Sequence, residues 1–353
     1  MKIEEELKMK KLLILALSCL TCVSMMAGCG GNTDKPAEGG ETAATAKKVG
    51  VFLYKFDDTY ISTVRQNLEK IGSENADKVA FEFFDGKGDQ SVQNDAIDTL
   101  LSKGCDLLMV NLVDTEAAQM VVDKIKAKDV PVVFFNREPG DSSIIKSYEK
   151  AIFVGTNAKD AGIIQGQMIT DLWNSDKKYD KNGDGVMQYV MLQGEATNPE
   201  AIARTEYSVS TVEDAGIKTE KLEFQICDWD QDKAQQAVEA WWSKHKDGIE
   251  VIIANNDGMA QGAIAALNAQ GYNTGDAEKY VPVYGVDATA AAQDLINQDK
   301  MSGTVLQDAE GMAKALYATG MNLAEGKSAI EGTDYTFDKT EISVRIPYQE
   351  YKK

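Results

Sequence analysis

Short apolar runs alternate with stretches of helical periodicity through almost the whole chain, and this alternation constrains the fold more than any single motif. Residues 49–54 are apolar, and Ile61, Val64, Leu68 and Ile71 then recur at helical spacing. Residues 79–84 read as a strand, followed by Ile97, Leu100 and Leu101 on one helical face. Residues 107–111 are a strand, Ala118, Val121, Val122 and Ile125 mark a helix, and residues 130–136 are a strand opened by Pro131. The same order repeats with strands at 152–155, 187–192, 222–227, 251–254 and 281–286. Helices at 160–173, 201–214, 234–244 and 258–269 lie between them. Continuously apolar strands separated by helices make parallel sheets covered on both faces. The phrase Val130-Pro131-Val132-Val133 returns as Val281-Pro282-Val283-Tyr284, which points to two similar halves. The expected fold is therefore α/β, with two doubly wound parallel-sheet lobes. A strand near 303–306, a helix at 310–323 and a strand at 341–346 would complete the two sheets, so the chain would cross between lobes more than once.

In open parallel sheets, ligands bind beyond the carboxyl ends of the strands. The residues there are Lys55, Asp57, Asp58 and Tyr60; Asn111 and Asp114; Asn136; Asp228, Trp229 and Asp230; Asn255, Asn256 and Asp257; Asp287; and Gln307 and Asp308. Amides and carboxylates exchange hydrogen bonds with neutral polyols, and aromatic faces cover the C–H face of a sugar ring. Any one of these Asn or Asp residues also suits a helix N-cap. Taken with Tyr60 and Trp229, the set points to a ligand cleft.

A second motif is Asp180-Lys181-Asn182-Gly183-Asp184-Gly185-Val186-Met187-Gln188. Oxygen side chains at its first, third, fifth and ninth positions, with glycine at the sixth, have calcium-loop spacing. Val186 at the seventh position would offer its carbonyl. The twelfth position is Met191, where a bidentate glutamate would be needed. Either this is a polar turn, or the last carboxylate comes from elsewhere in the chain.

Composition narrows the partners. At 353 residues the chain exceeds one small core. Its net charge of −19 argues against nucleic acid or an anionic membrane face as the main partner. Enzyme signatures are weak: His245, the only histidine, sits in a polar stretch, and neither a P-loop nor a G-x-G-x-x-G follows the first strand. Asp58 and Asp287 would make a glycosidase pair only if one of them had a raised pKa.

At the N-terminus, Lys8, Lys10 and Lys11 precede the apolar run 12–26 and then Ala27-Gly28-Cys29. This is a secretory pattern, and Met-Ala-Gly-Cys resembles a bacterial lipobox, implying cleavage before Cys29 and lipid on its sulfur. Residues 30–48, rich in Gly, Ala, Thr and Glu, read as a flexible tether. Cys105 and Cys227 are read as two free thiols with a packing role.

In order along the chain, VFLYKFDD (51–58), NLVD (111–114), VPVVFFNREP (130–139), GIIQG (162–166), IEVIIANND (249–257), GVDA (285–288) and GTVL (303–306) resemble the galactose/glucose-binding proteins of bacterial ABC importers. The resemblance covers nearly all of the chain beyond the tether. It implies two lobes of the type I periplasmic-binding kind joined by a three-segment hinge, no catalysis, and capture of a hexose delivered to a membrane permease. Presentation of sugar to a chemoreceptor or sensor kinase, or a different pentose or hexose ligand, are the alternatives. It also implies that Asp58, Asn111, Arg204, Asn256 and Asp287 hydrogen-bond the sugar and that Tyr60 and Trp229 sandwich it. Glu250 would complete a structural calcium shell with Asp180, Asn182, Asp184, Val186 and Gln188. Three sugar positions depart from the family: Asn198 replaces histidine, Glu200 aspartate and Gln307 asparagine. The last two move a polar head by about 1.5 Å. The expected organisation is a signal peptide (1–28), a lipidated cysteine and tether (29–48), a first lobe of 49–136 plus 309–333, and a second lobe of 137–308 plus 334–353. The protein is expected to be a monomer, lipid-anchored outside the cytoplasm.

Overall fold

A computed structural model describes residues 46–353. The expected signal peptide, Cys29 and nearly all of the tether lie outside the described residues. Among the described residues, no helix is long and apolar enough to cross a membrane.

The chain begins with β1 (Lys47–Leu53), α1 (Thr59–Glu74), β2 (Val79–Asp85), α2 (Gln90–Lys103), β3 (Leu107–Val110), α3 (Ala118–Lys126), β4 (Val132–Phe135), α4 (Ser143–Lys146) and β5 (Ala151–Gly155). It continues with α5 (Ala158–Ser175), β6 (Val186–Gln193), α6 (Pro199–Asp214), β7 (Lys218–Ile226), α7 (Gln231–His245), β8 (Val251–Ala254), α8 (Asp257–Ala269), β9 (Val283–Asp287), α9 (Ala290–Asn297) and β10 (Gly303–Gln307). Then come α10 (Ala309–Ala324), β11 (Ser343–Arg345) and β12 (Tyr348–Tyr351). The first sheet has the order β11-β5-β4-β3-β1-β2, and the second has β12-β10-β9-β8-β6-β7. These are two α/β lobes of one topology, as the repeated phrase implies.

Period-two alternation explains why both faces of each sheet are covered. On β1, Val49, Val51 and Leu53 enter one apolar cluster, while Phe52 enters the cluster on the opposite face. On β3, Leu107 and Met109 part from Leu108 and Val110 in the same way. The second lobe repeats this, with Val190 and Leu192 facing one cluster and Tyr189 and Met191 the other.

Strand pairing corrects the lobe boundaries expected at 137 and 334. β5 pairs with β4, and β11 pairs with β5, so both complete the first sheet. The chain leaves the first lobe after Gly155, not after Asn136. It returns between β10 and α10, and leaves again between Arg345 and Tyr348. Three crossings remain, as the hinge expectation required. β12, which carries no distinct sequence signal, is antiparallel to β10, so the second sheet is not wholly parallel. Cys105 and Cys227 are free, as expected, and burial pushes their thiols up to about 11 and about 12.

Candidate functional site

The carboxyl ends of both sheets meet at one cavity between the lobes, enclosing about 380 Å³ of space free of atoms. Nine of the ten expected sugar residues line it: Asp58, Tyr60, Asn198, Glu200, Arg204, Trp229, Asn256, Asp287 and Gln307. Four further lining residues are Tyr54, Ile61, Asn136 and Arg137.

Local structure explains the placement. Asp58, Asn198 and Asn256 are each both cap and wall. They are the N-caps of α1, α6 and α8, accepting hydrogen bonds from Tyr60 and Ile61, from Glu200 and from Met259 backbone N–H groups. The N-cap alternative raised for strand-end residues is thus true of Asp58 and Asn256, and in all three the cap also fixes where the side chain stands. The helix α6 that carries Glu200 and Arg204 lies close against α5. At Gly162 and Gly166, an added Cβ would fall 2.7 Å from Tyr207 and 2.6 Å from the Ser208 carbonyl. Gly194 performs the same service for the indole of Trp229, since a Cβ there would fall 2.5 Å from the ring. Asp228, Trp229, Asp287, Ala288 and Asn136 all hold positive φ, an arrangement that concentrates at functional sites.

Asn111 is a correction. It is fully buried and does not line the cavity. Its Oδ1 accepts from the Tyr54 backbone N–H, and its Nδ2 donates to the Phe135 carbonyl and to Asn136 Oδ1. The amide is committed to tying β1 to β4, and it is Asn136 that reaches the wall.

The second-lobe side chains form a charged network. Arg204, 3% exposed, donates to the Asn255 carbonyl at 2.8 Å, to Gln307 Oε1 at 3.0 Å and to the Tyr348 hydroxyl at 2.8 Å. It also lies 3.0 Å from Glu200 Oε2. Burial opposes its charge, but Tyr348, Glu200 and Asp287 outweigh that and hold it protonated. Glu200 additionally accepts from the Thr156 and Tyr348 hydroxyls, residues on two of the three lobe crossings. Asp287, 5% exposed, stands 4.0 Å from Arg204. Burial raises its pKa well above the carboxylate range; Arg204 opposes the rise, and Asp257 and Asp58 add to it. Beside it, Asp257 is fully buried and accepts from Thr304 Oγ1, Thr289 N and Thr289 Oγ1. Several buried atoms around the cavity have no partner within the protein: Asp287 Oδ2, Gln307 Nε2, Trp229 Nε1, Arg204 Nε and Arg137 Nε.

A periplasmic binding protein domain matches residues 49–328. The chain belongs to the periplasmic binding protein family. This binding protein is 42% identical over 306 residues to the D-galactose/methyl-galactoside binding periplasmic protein MglB of Haemophilus influenzae, covering 86% of this chain and 89% of that one. A putative rhizopine-binding protein of Rhizobium meliloti is 30% identical over 292 residues, covering 81% and 87%. An ABC transporter solute-binding protein from Bacillus halodurans, solved with myo-inositol, superposes with a TM-score of 0.72 at 24% identity. That match covers 87% of this chain and 95% of the other. The family consists of non-enzymatic solute-binding components, and membership implies an extracytoplasmic location.

The loop at 180–188 of this binding protein is organised by its own oxygens. Asp180 accepts from the Gly183 and Gly185 backbone N–H groups, Asn182 Oδ1 from Asp184 N, and Asp184 from Val186 N. Glu250 clamps both ends, accepting from Lys181 N at 2.6 Å and Gln188 N at 3.0 Å. Gln188 Oε1 is buried without a partner. Among the described residues, no three His, Cys, Asp or Glu side chains converge as a metal cluster; the oxygens named from the sequence are those of two aspartates, a glutamate, two amides and a carbonyl. Such a set of hard oxygens is the kind calcium takes.

Sequence reasoning did not single out Arg137, Thr156 and Tyr348. Arg137 follows Asn136 directly, so its place at a strand end was the available signal. Tyr348 and Thr156 gave none, because they act at crossings. His245, as read, ends α7, its Nε2 2.7 Å from Glu223 Oε1.

Proposed function

We propose that the chain is an extracytoplasmic lipoprotein, anchored through Cys29, that captures one hexose between its lobes and delivers it to an ABC permease. The observation that carries this reading is the set of unpartnered polar atoms around the cavity, with the Tyr60 and Trp229 side chains in its wall. Each buried polar group without a partner costs about 1–3 kcal/mol, and a ring of hydroxyls supplies such partners on all sides. Asp287 Oδ2 accepts a hydroxyl, the Gln307 and Trp229 N–H groups donate, and Arg204 steadies the carboxylates around it. Contacts to both lobes at once favour the closed state by differential affinity. D-Galactose and D-glucose are the preferred candidates, in keeping with the name of the 42% identical relative. A different monosaccharide is the second reading. It is favoured by Glu200, whose oxygens are already engaged by Thr156, Tyr348 and Arg204.

We further infer that residues Asp180, Asn182, Asp184, Val186, Gln188 and Glu250 hold calcium. The ion would staple the loop to β8 and stabilise the second lobe without taking part in sugar recognition.

The test is calorimetric titration of the protein beginning at Gly30, with calcium present, against glucose, galactose, ribose, arabinose and methyl-galactoside. One-to-one binding of a hexose, lost in Asp287→Ala, supports the reading. Heat with a pentose alone would replace the ligand, and release of monosaccharide from an oligosaccharide would defeat the binding reading altogether.

A further inference from the structure

Arg137 stands at a boundary that the sugar residues themselves do not explain. Besides a space that adjoins it at Tyr54, Asp58 and Trp229, the inner cavity has a further neighbour between the lobes. This is an outer recess of about 1050 Å³, lined by residues that include Asp89, Asp114, Glu195 and Asp228. The cavity and this recess share only two lining residues, Arg137 and Asn198. Those two side chains are the wall between them.

The wall is held from both lobes. Arg137, from the end of β4, donates to the Val113 carbonyl at 2.8 Å and, across the cleft, to Glu195 Oε2 at 2.6 Å. The same Glu195 oxygen accepts from Asn198 Nδ2 at 3.1 Å. The guanidinium lies 4.4 Å above the Tyr54 ring, whose hydroxyl donates to Asp58 at 2.6 Å. A continuous chain of contacts thus runs Asp58–Tyr54–Arg137–Glu195–Asn198, from the first-lobe wall of the cavity to the second. Arg137 is 6% exposed, and its Nε is buried with no partner. A buried guanidinium with one N–H unmatched at a cavity wall is a donor for whatever fills that cavity.

We propose that Arg137, latched by Glu195, is both a sugar-contacting residue and the partition that restricts the site to a single ring. This rests on the sugar-binding reading and adds its size limit. A second ring joined to the first and directed into the outer recess would have to pass through the space that Arg137 and Asn198 fill, while Tyr54, Asp58 and Trp229 close the cavity toward its other neighbour. Entry requires breaking the Arg137–Glu195 pair, which also joins the two lobes.

The experiment compares the parent protein, Arg137→Ala and Glu195→Gln by calorimetry. The titrants are the hexose that binds and two disaccharides that carry it at the non-reducing and the reducing end. The parent is expected to bind the hexose and neither disaccharide. Arg137→Ala should weaken hexose binding about 10- to 100-fold and narrow the hexose-to-disaccharide ratio at least about tenfold for one of the two. Glu195→Gln keeps the shape and a weaker hydrogen bond, so it should shift both quantities the same way by less. It also carries the test if Arg137→Ala proves unstable in a thermal melt. A parent that takes either disaccharide as tightly as the hexose overturns the proposal. So do variants with the parent's hexose affinity and ratio. A parent that binds no monosaccharide at all overturns the sugar reading itself, which keeps the two failures distinct.

Discussion

The two lobes share one strand order, yet they use their strand-end residues differently. In the first lobe, Asp58 caps α1 and accepts the Tyr54 hydroxyl, and Asn111 is consumed by three contacts to the chain around it. In the second lobe, Asp287, Gln307, Trp229 and Arg204 each keep a buried atom that the protein leaves unpartnered. The same rule of polar residues after apolar strands produces scaffold in one lobe and unpartnered polar groups at the cavity in the other. Arg137 is the first lobe's main exception, and it reaches across to Glu195 to close the wall. The second lobe also has a loop, 180–188 with Glu250, that has no counterpart in the first.

The largest effect that would break this comparison belongs to Asp287→Asn. Hexose affinity should fall about 100-fold, corresponding to roughly 3 kcal/mol for a buried hydrogen-bonding carboxylate. The sugar-free protein should behave oppositely. Burial raises the folded-state pKa of Asp287 above its unfolded value. The stability tied to its proton is therefore complete below the ordinary carboxylate pKa of about 4 and is lost as pH rises through the raised value. The asparagine variant should melt above the parent near pH 8, and the gap should close toward pH 4. Thermal melts across that range decide it; a variant less stable than the parent at every pH would mean that the carboxylate is structural.

Calcium withdrawal is next. If the loop is about 100-fold saturated, chelation removes about 2.7 kcal/mol, worth roughly 4 °C in a chain of this size. The loss should be local. Hydrogen exchange should quicken at 180–188 and along β8 but not along β3. Glu250→Gln should abolish the response to chelator. Equal loosening of both lobes would tie the ion to the whole fold instead.

Asn111→Ala should show the reverse of Asp287→Asn. Removing its side chain orphans the Tyr54 N–H and takes one of two donors from the Phe135 carbonyl, which keeps the Arg137 N–H, at a cost of about 2 kcal/mol in stability. Sugar affinity should change less than about fivefold, because Asn136, not Asn111, lines the cavity. Denaturant melts and calorimetry on the same preparation separate the two quantities. Collapse of affinity with intact stability would restore Asn111 to the sugar.

These contrasts mark what the residues reveal by themselves. Two parallel lobes were legible because doubly covered strands read as unbroken apolar runs, such as 49–54 and 251–254. Sheet membership was not legible, since β5 is apolar enough to suit either lobe and only the crossing after Gly155 assigns it. β12 is four residues long with only Tyr348 buried, and was silent. At the site, residue type and strand-end position found Asp287, Trp229 and Gln307. They could not distinguish Asn111 from Asn136, because the two amides bond each other and only one faces the cavity. Nor could they show that Glu200 is bound to two crossings, because Thr156 and Tyr348 are distant in sequence.

The smallest effect is the most selective. Asp58 has two duties, and a pair of substitutions divides them. Its Oδ1 accepts from the Tyr60 and Ile61 backbone N–H groups, which is the cap; its Oδ2 takes the Tyr54 hydroxyl at the cavity wall. Serine caps a helix nearly as well as aspartate, whereas alanine does not, a difference of about 1 kcal/mol. Asp58→Ser should therefore melt close to the parent and Asp58→Ala below it. Serine is too short to meet both the helix end and the Tyr54 hydroxyl, so both variants should lose the Tyr54 anchor and bind hexose about tenfold more weakly. If serine restores affinity along with stability, Asp58 serves the cavity only by fixing α1, and the first lobe supplies no carboxylate to the ligand. If affinity stays low while the melt recovers, cap and ligand contact are separable functions of one side chain. The first lobe then contributes to recognition with a group that its own helix only half satisfies.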